Sequence, residues 1–264
     1  MTIIINIIFL TKYLMLLPYT LIFSTPFITI EKNKFSSNIQ KVISIAPFGF
    51  NMAFAAGNIE YKENVAYTGS STGAVAACLT SINLMSLELI LNFHEHLRSI
   101  SRFKYIEALG EFLTMLPDDV HLRCSNKIAI GTTKFKMHWS CPYILSILLL
   151  KNYWLTSLIV IWYGVEAKPK IITKFYSKKH LITTLQESCS VYGIQDFKFR
   201  NRIDGGFSTR HIIVKDLSSK TIDYDTKYNV DIFPSIPLSA SIFSLPSKER
   251  IQFLYNLPAC YKSN

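Results

Sequence analysis

With 264 residues, 49% of them hydrophobic, a mean hydropathy of +0.23 and a formal charge of +10, the chain can bury one sizeable core and is too apolar for a purely water-facing protein. The positive charge favours anionic partners, and the lack of an arginine-rich block or nucleic-acid motif sets nucleic acid aside in favour of lipid headgroups. The five cysteines (Cys78, Cys124, Cys141, Cys189, Cys260) are odd in number and form no C-x-x-C pair, which argues against a disulfide scaffold or zinc site and for buried free thiols.

Thr2 to Ile30 is apolar with Lys12 its only charge. Tyr13 to Phe23 resembles a signal-peptide core or the start of a signal anchor, although Pro18 and Pro26 weaken a straight helix. Three readings stay open: a membrane anchor, a cleaved signal giving secretory entry, and a disordered or wrongly assigned amino terminus. Glu31 to Gln40 reads as a polar linker, so residues 1–40 are segment and linker, and the main domain begins near Lys41. Val42–Ala46 alternates as a strand, Pro47–Phe50 turns the chain, and Asn51 to Lys62 reads as a helix with Met52, Ala55, Ala56 and Ile59 on one face. Asn64–Thr68 reads as a strand, and Ala74 toward Arg98 as one long helical region. A further helix spans Tyr105 to Leu116 and stops at Pro117-Asp118-Asp119; Lys127–Lys134 reads as a strand.

Residues 137–168 then interrupt the pattern. Pro142–Leu150 and Tyr153–Val165 are strongly apolar, split by Lys151-Asn152. The insertion reads as a membrane-dipping hairpin, with the central lysine costly there, or as translated non-coding sequence. A strand at Lys170–Phe175 and a helix at Lys178–Cys189 resume the domain.

Two motifs carry chemistry. Gly69-Ser70-Ser71-Thr72-Gly73 is a G-x-S-x-G pentapeptide between a strand and a helix, the setting of a nucleophile elbow. Glycine is only 10 of 264 residues, so a chance match is uncommon; the alternative reading is a Ser/Gly-rich loop between a strand and a helix. The turn exposes Ser71 near the positive end of the following helix, where developing negative charge is stabilised. The second is Asp204-Gly205-Gly206, an acid at a strand end with glycines that permit a tight turn. By itself D-G-G is a common turn signal.

Together these motifs resemble the patatin-like phospholipases, and most closely the branch containing animal triglyceride lipases. Val42–Phe50 resembles that branch's opening strand and oxyanion loop, Leu116–His121 its linker after the helices, and Asn126–Thr133 with Ile171–Cys189 its strand-strand-helix unit. Asp231–Pro234 echoes a later segment. The resemblance covers residues 41–215 less the insertion and fades over 216–264, which read as a poorly matched extension. It implies a three-layer α/β/α domain with a mostly parallel central sheet. It also implies a Ser71–Asp204 dyad working through an acyl-enzyme without cofactor or metal. Gly49, Phe50 and Thr72 would serve the oxyanion, Gly69 and Gly73 the elbow, and Gly205 and Gly206 the base turn. The implied partner is a lipid ester at a membrane or lipid-droplet surface.

No histidine is needed, and His94, His96, His121, His138, His180 and His211 read as ordinary surface residues. The chain departs from the family in its oxyanion loop. Aligned on Gly49, Pro47 and Met52 stand where the lipase branch has its other glycines, and proline has no N–H. The segment before Asp204 is also shorter. Three functions therefore stay open: a lipid acyl hydrolase, a catalytically impaired lipid-surface binding protein, and an integral membrane protein of unrelated function.

Overall fold

The computed structural model describes residues 25–100, 104–136, 166–190, 202–223, 230–235 and 245–262. The proposed signal or anchor up to residue 24, insertion residues 137–165, Cys141 and His138 lie outside the described residues. Among the described residues no helix is long and apolar enough to cross a membrane.

A mixed, mostly parallel sheet forms the centre. Its parallel body runs in the order β8 (Ser218–Ile222), β2 (Lys41–Ile45), β3 (Val65–Ser70), β4 (Ile128–Lys136). At one side β9 (Ile232–Pro234) joins β8 in parallel and β10 (Ala259–Tyr261) closes antiparallel on β9. At the other, β5 (Glu166–Ile172) folds back antiparallel on β4, and β6 (Arg202–Asp204) pairs antiparallel with the far half of β4. Every residue of β3 is buried, as a strand covered on both faces must be.

Alternate side chains divide the core. Ile45, Tyr67, Ile128 and Ile130 face the helices α1 (Met52–Asn58), α2 (Thr72–Ser81), α3 (Leu87–Ser99), α4 (Tyr105–Thr114), α5 (Val120–Cys124), α6 (Lys178–Ser188) and α7 (Lys248–Asn256). Val42, Ala66 and Ala129 face the opposite way, onto Phe35, Ile39, Ile212 and Val214. That second face is crossed by a parallel pair, β1 (Thr25–Ile30) with β7 (Thr209–Val214). Hydroxyls of the sheet hold β7 down: Thr68 Oγ1 donates to the Ile212 carbonyl at 2.6 Å and Ser70 Oγ to the Thr209 carbonyl at 3.0 Å. The α/β class and the mostly parallel sheet agree with the sequence reading. A β pair, not a helical layer, covers the second face among the described residues.

Several boundaries move. The fold starts before Lys41, because β1 pairs with β7 and the supposed linker buries Phe35 and Ile39. The stretch from 216 onward, poorly matched to the family, is built into the same fold: β8 lies beside β2 in the middle of the sheet, and α7 buries Ile251 and Leu254. Residues 166–168 belong to β5 and not to the insertion. The long helix expected from Ala74 to Arg98 is two helices. Asn83 adopts φ 60 after α2, and Ser86 caps α3 by accepting the Leu89 N–H at 3.1 Å. The helix expected to reach Lys62 ends at Asn58.

Candidate active site

Ser71 has φ 54 and ψ −136. Among the described residues the other non-glycine positions with positive φ are Asn83, Asn126 and Asp216, types that tolerate the left-handed region through their short polar side chains. Ser71 lies outside even that region, a conformation that costs about 1–3 kcal/mol and persists only where its surroundings enforce it. The surroundings here are tight. A Cβ on Gly69 would lie 2.4 Å from the Gly73 carbonyl oxygen, and one on Gly73 would lie 2.3 Å from that of Ala46. The start of α2 thus rests directly on the end of β2. Ser71 is half-buried at the junction, ahead of a helix whose first amides, Thr72 and Gly73, have no acceptor within the helix.

Strand β4 brings the acid to the serine. Gly131 pairs with Ser70 at the end of β3, and the next residue, Thr132, pairs with Asp204 at the end of β6. Two strands that meet the same edge of β4 at consecutive positions must place their ends together. The Ser71 hydroxyl donates to Asp204 Oδ2 at 2.6 Å, and the Gly206 N–H donates to Asp204 Oδ1 at 2.7 Å. Asp204 is 5% exposed. Burial pushes its carboxyl up to about 7, with the bonds from Ser71 and Gly206 pulling the other way. A carboxylate poised there can accept a proton near neutrality.

Gly205 and Gly206 open a short 3-10 turn directly after Asp204. A Cβ on Gly205 would stand 2.0 Å from the Gly131 carbonyl oxygen, while one on Gly206 would meet Pro47 at 3.2 Å. Pro47 therefore packs on the turn after Asp204 and Ala46 on the start of α2, so the 46–49 loop borders both motifs. Gly49 follows with φ 56 and opens a short 3-10 turn, Gly49–Asn51, that leads into α1. Met52 is buried in the first turn of that helix. Phe50 meets Tyr105 edge-on with ring centroids 5.7 Å apart, and His94 at 6.0 Å.

Three residues near the dyad carried no sequence signal. Ser188, at the end of α6, accepts the Ser71 N–H at 2.9 Å. Buried Cys189 and the neighbouring Tyr105 hydroxyl are both pushed well up, chiefly by burial, with the Asp204 charge contributing. No motif marks them, because their proximity depends on α4 packing against α6.

The surface reading of the histidines is corrected for two. His94 is buried on the face of α3 that also carries Ile90, Phe93 and Leu97, and burial, then Arg98, lowers it to about 4. His211 is buried between Ser44 Oγ (3.3 Å from Nδ1) and Asp223 Oδ2 (3.1 Å from Nε2). Burial pushes Asp223 up, but hydrogen bonds from His211 and Arg210 outweigh it and leave its carboxyl below the ordinary range. This string of serine, histidine and acid is fully enclosed, and Ser44 Oγ already accepts the Ile212 N–H at 3.0 Å. It ties β7 to the sheet and offers no reachable nucleophile. Cys78, Cys124 and Cys189 are buried and free, and Cys260 is half-buried. Among the described residues no group of three or more His, Cys, Asp or Glu side chains could hold a metal ion. No protein-family model matches the chain, and no curated protein matches it.

Proposed function

We propose that the protein is a serine hydrolase of lipid acyl esters, of the patatin type, acting at a membrane or lipid-droplet surface. The observation that carries this reading is the strained Ser71 donating its hydroxyl to a buried carboxylate at 2.6 Å. In the proposed reaction Asp204 takes the Ser71 proton as Oγ attacks the ester carbonyl. The tetrahedral oxygen faces the Thr72 amide at the start of α2 and the Gly49 loop. Collapse releases the alcohol, which takes the proton back from Asp204. Water, deprotonated by Asp204, then frees the fatty acid. A patatin-like architecture belongs to the same proposal, supported by the mostly parallel sheet and the elbow at a carboxyl strand end, with the β1–β7 pair standing where a second helical layer was expected.

Hydrolysis of a short-chain p-nitrophenyl ester by the purified full chain tests the reading. Ser71→Ala is expected to lower kcat by at least about 1,000-fold. Equal rates in variant and wild type would eliminate it. A lipid-surface protein without turnover is the second reading, favoured by Pro47, which brings no N–H to the loop. Vesicle binding with no Ser71-dependent turnover would select it.

The acid limb gives an independent check. Asp204 must be ionised to act, and its carboxyl titrates near 7. Thus kcat/KM is expected to rise tenfold per pH unit below about 7 and to level above about 8. A plateau reaching down to about pH 5 would exclude Asp204 as the base.

A further inference from the structure

We propose that Ser188 is a positioning residue that holds Ser71 in its attacking conformation against Asp204; this inference rests on the hydrolase reading. Ser188 is wholly buried, and its hydroxyl both accepts and donates. It accepts the Ser71 N–H at 2.9 Å and donates to the Gly131 carbonyl at 2.6 Å. Gly131 is the residue that pairs with Ser70 on β3, and its carbonyl is the surface on which Gly205 sits. One side chain therefore links the elbow to the strand position that sets the base.

The end of α6 also fixes the other partner. Two residues on, the Ser190 carbonyl accepts the Asp204 N–H at 2.8 Å. Nucleophile and base are thus tied by their backbone amides to the same short segment, Ser188-Cys189-Ser190. A strained residue reverts when its restraints go, and Ser188 supplies the restraint on the Ser71 amide. That amide points at Ser188, so it does not donate to the oxyanion. The Thr72 amide and the Gly49 loop are left for that task.

Without the Ser188 hydroxyl, two buried backbone groups lose their partner and Ser71 can relax. Displacement by about 1 Å lowers rate by on the order of 100-fold. The Ser71–Asp204 bond weakens with it. That bond pulls the Asp204 carboxyl down, so its loss moves the acid limb upward.

The test compares Ser188→Ala, Ser188→Cys and Ser188→Thr with wild type and Ser71→Ala, reading kcat, KM, the pH profile and Tm on the p-nitrophenyl ester. Ser188→Ala is expected to lose roughly 10- to 100-fold in kcat with KM within about twofold, and to shift the acid limb to higher pH. Ser188→Thr, which keeps the hydroxyl, is expected to recover most of the rate. Ser188→Cys is a near-isosteric weak acceptor that covers the case in which alanine does not fold, and it is expected to fall between. A wild-type kcat and acid limb in Ser188→Ala would overturn the proposal. So would a loss that tracks Tm alone, with an unmoved acid limb and no recovery in Ser188→Thr. Wild-type turnover that survives Ser71→Ala is a different failure. It removes the hydrolase reading itself and this inference with it.

Discussion

Asp204→Asn is expected to abolish turnover and, at alkaline pH, to make the protein more stable. The amide is nearly the same shape and its oxygen can still accept the Gly206 N–H, but it cannot take a proton from Ser71. A loss in kcat of at least about 1,000-fold follows. The stability change has the opposite sign because the carboxyl is raised from its ordinary 3.8 to about 7 in the folded protein. Below about pH 4 the acid is neutral in both states and contributes no pH dependence. Between about pH 4 and 7 the unfolded chain ionises while the folded one stays protonated, so wild-type stability falls as pH rises. Above about pH 7 the folded state bears a buried charge, and the accumulated cost is on the order of 4 kcal/mol. Asp204→Asn never incurs that cost. Urea unfolding at about pH 5 and about pH 9 reads the effect: the variant's advantage should grow between the two. An unchanged difference would show that Asp204 is not held as a raised, buried acid.

Gly205→Ala is expected to damage both the fold and turnover severely. The added carbon would lie 2.0 Å from the Gly131 carbonyl oxygen, 2.6 Å from its carbon and 2.9 Å from Ser70 Cβ. The first two obstacles are backbone of a paired strand, so β6 or β4 must move, and Asp204 moves with it. The expected result is destabilisation by about 3 kcal/mol or more, with loss of turnover in whatever remains folded. Gly110→Ala is the control. Its new carbon meets chiefly the amide end of the Gln186 side chain, which can swing away, and the helix gains from alanine. A change below about 1 kcal/mol is expected there. Similar unfolding midpoints for the two variants would contradict the close packing of the base turn on β4.

How far the site could be read in advance depended on distance along the chain. The elbow is local: strand, turn and helix are consecutive, and its glycines are spaced by the contact they make with each other. Gly69 and Gly73 were therefore legible. The capped break at Ser86 was equally local and was missed, although serine ahead of Leu87-Glu88 is a helix-start signal. Asp204 was reachable only as the second half of a pair of motifs. No pattern marks Ser188, Cys189 or Tyr105. A serine at the end of a helix has many ordinary reasons to be there, and only the docking of α6 against β4 gives this one an amide to hold.

The local order of hydrophobic and turn residues alone marked the strand, turn and helix around Ser71, because those elements are consecutive in the chain, while the mostly parallel sheet and Asp204 as partner of Ser71 were expected only through the family resemblance. The tertiary structure decided the rest. Strand β8 enters the middle of the sheet from the far end of the sequence, and β1, from the end of the apolar amino-terminal segment, lies across its second face. Asp204 meets Ser71 because β3 and β6 share one edge of β4 at adjacent positions. Those outcomes depend on which strand edges find each other across more than a hundred residues. Pairing register at that separation is set by packing of the whole core, which no short window of sequence contains.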